Sequence, residues 1–486
     1  MHIMKTLKDI PRAHYVDSFM GIIPDLMKNM HRRHEFLLDM TRGMPVCKAT
    51  LGPKFDPECV ELSIKDPIVI KHFLKDNHEN YTKGPSHSDL FWCTMRLWLG
   101  DGIFAARHGT DAEDRGKNWM KQRKIASNIF SKNNFNDNMN EVFVAKGKRL
   151  CDLLREPALE GRQVDMQAKF FQYTMDSIMQ IFFGERADTM GGEANEYAQA
   201  FDVAHRCLVD YFFKAIPPLT ILRLLPWPFG GYQGLASLMH RSMHPLYREF
   251  AEAYKVLDVE SRRIIQACRK DSKLKERKDL VALFIQAEEN PNSMSNAWLR
   301  DVILNFIIAG RDTTACTLSW MFYILATHPE IQKQLQEEID KKFAVGSSPT
   351  VRSVSASEMP YLNAVLYETL RLYPPVPIDG KMTVADDTLP NGMKVPADVK
   401  MTFLVYVMGR DPSVYPEPDT VKPARWIPFK EPAPHEFPVF QAGPRICLGM
   451  NMAVFEAKIA AIMILQKYFF EMSPGEAEKI TYLPTA

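Results

Sequence analysis

Phe440-Gln441-Ala442-Gly443-Pro444-Arg445-Ile446-Cys447-Leu448-Gly449 is the stretch on which the reading of this chain turns. One cysteine stands in a turn framed by two glycines, with an arginine two residues before it. Gly443 and Gly449 carry no Cβ, so the main chain can adopt conformations closed to other residues and pass close to a flat partner. Ala453, Ala457, Ala460, Ala461 and Leu465 then recur at helical spacing, which predicts a helix from Met450 onward. Cys447 therefore lies just ahead of a helix N-terminus, where free N–H groups and the positive dipole end favour a thiolate.

A free cysteine is ordinarily a small buried apolar residue. The spacing from Phe440 through Gly443, Arg445 and Cys447 to Gly449 argues for a different use. A single thiolate held this way suits the axial position on a haem iron. Arg445 can pair with a haem propionate, and Phe440 can shield the sulfur from water. The ten residues resemble the haem-binding loop of the cytochrome P450 family.

Residues 296–328 predict one long helix, with Ser295 as a cap and Pro329 beyond its end. Its centre is Ala309-Gly310-Arg311-Asp312-Thr313-Thr314. A glycine inside a helix costs about 1 kcal/mol relative to alanine, so Gly310 points to a function or a kink. Small Ala309 and Gly310 would leave room for oxygen above a haem. Asp312 and Thr313 form an acid–alcohol pair suited to delivering protons. The string resembles the family's oxygen-binding motif, in the form found in plant and fungal fatty-acid omega-hydroxylases. In some animal relatives a glutamate at the position of Ala309 forms an ester to haem. Alanine cannot, which implies haem b (iron protoporphyrin IX) bound non-covalently through an axial thiolate.

Trp119 and Arg123 are spaced i, i+4 on one helix face. An arginine packed on tryptophan is the plainer explanation, but the resemblance implies that the pair holds a propionate. It places Lys381 there too, where many members have arginine or histidine. Glu368 and Arg371, spaced i, i+3, would be worth under about 1 kcal/mol as a surface pair. The resemblance makes them, with Arg425, a buried ion network that fixes the cysteine loop. Phe104, Phe306, Ile308, Ala309, Val376 and Pro377 are the candidates for an apolar substrate pocket.

The chain has 486 residues, 46% hydrophobic and 24% charged, with net charge +1. That balance gives no bulk attraction to nucleic acid. Its 8 cysteines include no CxxC pair, which argues against a disulfide framework or a zinc site. No run of ~18 apolar residues is long enough to span a membrane, and Met1–Lys5 is too short and polar for a signal peptide. Residues 57–75 predict a small peripheral sheet beside a helix. Helices are expected over 164–184, 195–215 and 240–270, a hairpin turn at Asn391-Gly392, and a short strand after the last helix. Leu99-Gly100-Asp101-Gly102-Ile103-Phe104 is a glycine-rich turn but not a phosphate loop, because no Lys-Ser/Thr follows. The segment Tyr211–Phe229 is apolar but proline-broken; the resemblance implies the family's pocket roof, which often touches the membrane surface, and ordinary core packing explains it equally well.

The expected architecture is a mainly α fold with a minor β region, the cytochrome P450 fold. Residues 1–486 would form a single haem-thiolate domain whose first ~75 residues are peripheral and partly β. Haem would lie between the long central helix and the helix after Cys447. The resemblance implies a monooxygenase that inserts one oxygen atom from O2 into an unactivated C–H bond of an apolar lipid. Electrons would come from NADPH through NADPH-cytochrome P450 reductase, with cytochrome b5 as a further donor. The setting would be the cytosolic face of the endoplasmic reticulum membrane, the anchor helix being absent from this chain. A fatty acid hydroxylated near its methyl end is the leading substrate, and a sterol or isoprenoid methyl group is the alternative. A haem-thiolate isomerase is disfavoured by the Asp312-Thr313 pair. A haem sensor or electron carrier is disfavoured by the small residues over the iron.

Overall fold

Apolar spacing of 3.6 residues dominates this sequence, and helices dominate the fold. The computed structural model describes residues 1–486 except 1–2, 4–5, 16–17, 53–58, 84–89, 107–114, 131–137, 193–194, 223–243, 291–292, 345, 481 and 483–486, with backbone alone at 90–93, 115–117 and 212–222. The segment expected to roof the pocket therefore lies largely outside the described residues.

The N-terminal part holds α1 (Ile23–Lys28), α2 (Arg33–Met40), β1 (Val46–Thr50), β2 (Val60–Ile64), α3 (Pro67–Lys71) and β3 (Tyr81–Thr82). The helical body follows as α4 (Leu90–Leu99), α5 (Arg115–Ser127), α6 (Asn140–Leu159), α7 (Met166–Phe183), α8 (Glu196–Leu222), α9 (Pro245–Lys270), α10 (Leu280–Gln286) and α11 (Asn296–Thr327). Then come α12 (Pro329–Lys342), α13 (Pro360–Leu372), β4 (Asp379–Thr383), β5 (Asp387–Thr388), β6 (Lys394–Val395), β7 (Lys400–Phe403), α14 (Val405–Met408) and α15 (Met450–Leu465). The short strand expected after α15 is not found among the described residues, which there form one short helical turn, Ala477–Lys479.

Five strands form one sheet in the order β1-β2-β7-β4-β3, in which β2 and β7 run parallel and the other pairs antiparallel. β5 and β6 make the expected hairpin, with Gly392 at φ 81° in its turn. The sheet closes a separate small core with Phe73, Leu74, Met401 and Phe403. The main core gathers α6, α7, α8, α11, α13 and α15. α11 is its axle: Ser295 Oγ accepts from Trp298 N at 3.2 Å at its start, and twenty of its 32 residues are buried.

α11 runs as one continuous helix through Gly310. A Cβ on Gly310 would lie 2.2 Å from Ile178 Cδ1 of α7. The glycine therefore admits a packed neighbouring helix. Ala309 and Gly310 are both half-buried.

Candidate active site

The cysteine loop is shaped by its own backbone first. Gly443 has φ +65°, the left-handed region that favours glycine. Cys447 N donates to Phe440 O at 2.8 Å and closes the turn. A Cβ on Gly443 would stand 2.1 Å from Leu74 O, so this glycine permits a close backbone approach within the protein. Leu74 belongs to a π-type turn, His72–Asp76. Asp387 braces that turn: its Oδ2 accepts from Asn77 Nδ2 at 3.0 Å, lies 2.9 Å from His72 Nε2 and is also bound by the Tyr81 hydroxyl. Gly449 is different. Its φ is −90° and the nearest described atoms to a Cβ would be those of Phe130 at 3.8 Å, so no described residue demands glycine there.

Among the described cysteines, Cys447 is exposed and the other six are buried. Its thiol is accessible yet walled by protein, and burial pushes its pKa up. The Gly449 N–H and the Arg123 charge pull it the other way. Phe440 is half-buried against the main core.

Three cations converge beside this loop. Arg123 Nη2 donates to Ile446 O at 2.7 Å, and Arg445 Nη2 donates to Ala106 O at 2.6 Å. The Trp119 ring receives both guanidinium groups, Arg445 at 4.5 Å and Arg123 at 5.9 Å from its centroid. Lys381 projects from β4 and is 2% exposed, and among the described residues its Nζ has no hydrogen-bond partner. Burial pushes its pKa down to about 7, helped by the Arg445 and Lys83 charges and opposed by Asp379. Burial lowers Arg445 too, with Asp379 opposing and Arg123 adding. Asp379 is itself engaged by Lys83 and Gln441. Buried positive charge in this amount needs anions. Two carboxylates on a flat ligand that also meets the accessible thiol would satisfy it. Haem carries two such carboxylates and an iron that takes a thiolate, so these residues fit it.

Behind the loop, Glu368 and Arg371 are both fully buried and paired at 2.8 Å. Arg425 Nε donates to Glu368 Oε1 at 3.0 Å. Two further donors escaped the sequence reading: Trp426 Nε1 reaches Glu368 Oε2 at 2.9 Å, and Lys422 N reaches Oε1 at 2.7 Å. Burial raises the Glu368 pKa, but these hydrogen bonds outweigh it and leave the carboxyl below its ordinary value. Arg371 Nη1 also donates to the carbonyls of Gly409 and Pro418, each at 2.6 Å. Helix α13 is thereby tied to the segment that leads to the cysteine loop.

On α11, Thr313 Oγ1 donates back to Ala309 O at 2.7 Å. Asp312 is 1% exposed, and Arg311 Nη1 donates to its Oδ1 at 2.9 Å. Arg311 Nη2 reaches Asp202 Oδ1 on α8 at 2.5 Å. His205 Nδ1, also on α8, lies 3.0 Å from Asp312 Oδ2, near enough for charge but not aligned as a hydrogen bond. His205 stacks on Trp98 at 5.0 Å. No local motif marks Asp202 or His205. Their only sequence signal is a shared helix face three residues apart.

The pocket candidates divide. Phe104 is 43% exposed and Val376 half-buried. Phe306 and Ile308 sit in the main core, and Phe306 lies edge-on to Phe182 at 5.6 Å. Pro377 is buried and accepts Tyr406 N at 3.1 Å. The last three are buried.

The family model Cytochrome P450 matches residues 62–485. This chain belongs to the cytochrome P450 family. It is therefore a monooxygenase of the haem-thiolate class, using O2, a redox partner and an apolar substrate. Relatives include Cytochrome P450 704C1 of Pinus taeda, 32% identical over 93% of this chain and 86% of that protein. Cytochrome P450 94A2 of Vicia sativa is 28% identical over 97% of this chain and 87% of its own length. Alkane hydroxylase MAH1 of Arabidopsis thaliana is 28% identical over 96% of this chain and 89% of its own length. Among the described residues of this P450, no helix is long and apolar enough to cross a membrane.

Proposed function

We propose that this P450 hydroxylates a fatty acid or similar long alkyl chain near its methyl end. The observation that carries the reading is the similarity to an alkane hydroxylase over 96% of the chain. The Ala309–Thr314 string, in its omega-hydroxylase-like form, supports it. Haem b would supply the oxygen-activating chemistry, held non-covalently with Cys447 as its ligand. Arg123, Lys381, Arg445 and Trp119 would hold its carboxylates, and Phe440 and Gly449 would flank the cysteine. Glu368, Arg371 and Arg425 keep the loop in place. Asp312 takes up protons and passes them to the Thr313 hydroxyl, which can turn from Ala309 O toward the reaction centre. Phe104 and Val376 bound the substrate. The whole chain acts as one domain at the endoplasmic reticulum membrane surface, served by NADPH through its reductase and by cytochrome b5.

A Soret difference titration tests the substrate. A low-to-high-spin shift with dodecanoate and none with a methylated sterol is the expected result. A shift with the sterol alone would replace this reading by sterol or isoprenoid methyl oxidation.

A further inference from the structure

The glycine-rich turn that is no phosphate loop has an anchor in α11. Asn305 is fully buried. Its Oδ1 accepts from Phe104 N at 3.0 Å, and its Nδ2 donates to Leu99 O at 2.8 Å and to Asp301 O at 2.7 Å. One amide thus grips the turn at both ends. One helical turn earlier, Asp301 Oδ2 accepts from Asp101 N at 3.2 Å, while Arg300 binds its other oxygen at 2.7 Å. The glycines make the approach possible. A Cβ on Gly102 would lie 1.9 Å from Asn305 Nδ2, and one on Gly100, at φ +57°, would lie 2.0 Å from Asp301 Oδ2.

The turn is held on its far side as well. Gln122 Nε2 donates to Asp101 O at 2.9 Å, and Arg445 of the cation cluster donates to Ala106 O at 2.6 Å. The open apolar surface in the middle of this clamped segment is Phe104, 43% exposed. Phe104 therefore stands at a height set by Asn305 on one side and by the haem-loop arginine on the other.

We infer that Asn305 is a specificity-determining positioning residue, which acts through Leu99–Ala106 to hold Phe104 as a fixed wall of the substrate pocket. Buried amide groups left without partners cost more than they contribute when paired, so the turn gains a single registered position. A fixed wall beside the cation cluster suits a narrow, unbranched chain, whose reacting carbon is chosen by where the chain must stop. That last consequence rests on the alkyl-chain reading above; the clamp itself does not.

Asn305→Leu keeps the volume and removes all three bonds, whereas Asn305→Asp keeps the acceptor for Phe104 N–H. Hydrogen exchange over residues 99–106 reads the clamp directly, with or without haem. Slow exchange in the wild type, at least about tenfold faster in Asn305→Leu, is expected, and fast wild-type exchange would overturn the clamp. Azole binding to the holoenzyme reads the wall. Imidazole affinity should stay within about twofold, while the ratio of phenylimidazole to imidazole affinity changes about tenfold in Asn305→Leu and less in Asn305→Asp. Gly102→Ala, which pushes the turn without altering α11, should move the ratio likewise. With dodecanoate, Asn305→Leu should spread the product over several carbons and raise KM about tenfold with little change in kcat. An unchanged azole ratio and product pattern would overturn the inference. A wild type blind to dodecanoate would remove only the alkyl-chain reading, since the azole ratio still tests the wall.

Discussion

His205 Nδ1 stands 3.0 Å from Asp312 Oδ2, so the buried acid of α11 meets a side chain of α8. Arg311 makes a second tie between the same helices through Asp202, stacking on Phe171 and Phe201 at 4.7 and 5.4 Å. The acid is thus placed by tertiary contacts, while the alcohol beside it is placed by its own helix.

Proton delivery should therefore fail differently at the two residues. Thr313→Ala should keep NADPH consumption but divert it to hydrogen peroxide. Asp312→Asn should slow turnover by about a hundredfold, in the range of a lost acid–base group, at unchanged haem content. Coupling of product to NADPH, with peroxide measured in parallel, checks both. Wild-type coupling in Thr313→Ala would remove it from the relay.

Glu368 accepts from Arg371, Arg425, Trp426 and the Lys422 N–H. Glu368→Ala strands fully buried Arg371, at a cost of about 3–5 kcal/mol, and should yield chain without haem. The Soret-to-280 nm absorbance ratio reads this, and full haem incorporation would refute it. Trp426→Phe removes one hydrogen bond and should cost about 1–3 kcal/mol of stability.

Lys381 gives a pH dependence with a defined sign. Its folded value of about 7 lies below the ordinary 10.5. Between these values the unfolded chain binds more protons, so this residue makes haem-free protein more stable as pH rises. The contribution is complete above 10.5 and lost as pH falls through about 7. Urea midpoints of the haem-free protein at pH 7.5 and 9 should differ in wild type and much less in Lys381→Met. The slope is at most about 1.4 kcal/mol per pH unit. Equal slopes would show that Lys381 does not carry it.

The glycines separate by cause. Gly443→Ala drives a Cβ to 2.1 Å from Leu74 O and should lower the Tm of the haem-free protein. Gly449→Ala meets no described residue nearer than 3.8 Å, so it should spare that Tm and weaken haem retention alone. Gly310→Ala should destabilise by about 1–3 kcal/mol through overpacking, and Ile178→Ala should relieve part of it in a double-mutant cycle.

The sequence by itself determined whatever depends on neighbours along the chain. The cysteine turn and its helix, the bounds of α11, the i, i+3 pair Glu368–Arg371 and the i, i+4 pair Trp119–Arg123 follow from local spacing, because helical geometry converts near positions into one face. The tertiary structure decided what lies across helices. Phe104 and Asn305 are 201 residues apart, and Arg311 and Asp202 are 109 apart. It also supplied a packing reason for Gly310 and Gly443, where Ile178 and Leu74 leave no space for a Cβ. Composition shows that a residue lacks a Cβ; only packing shows what fills the space, since close-packed interiors leave none over.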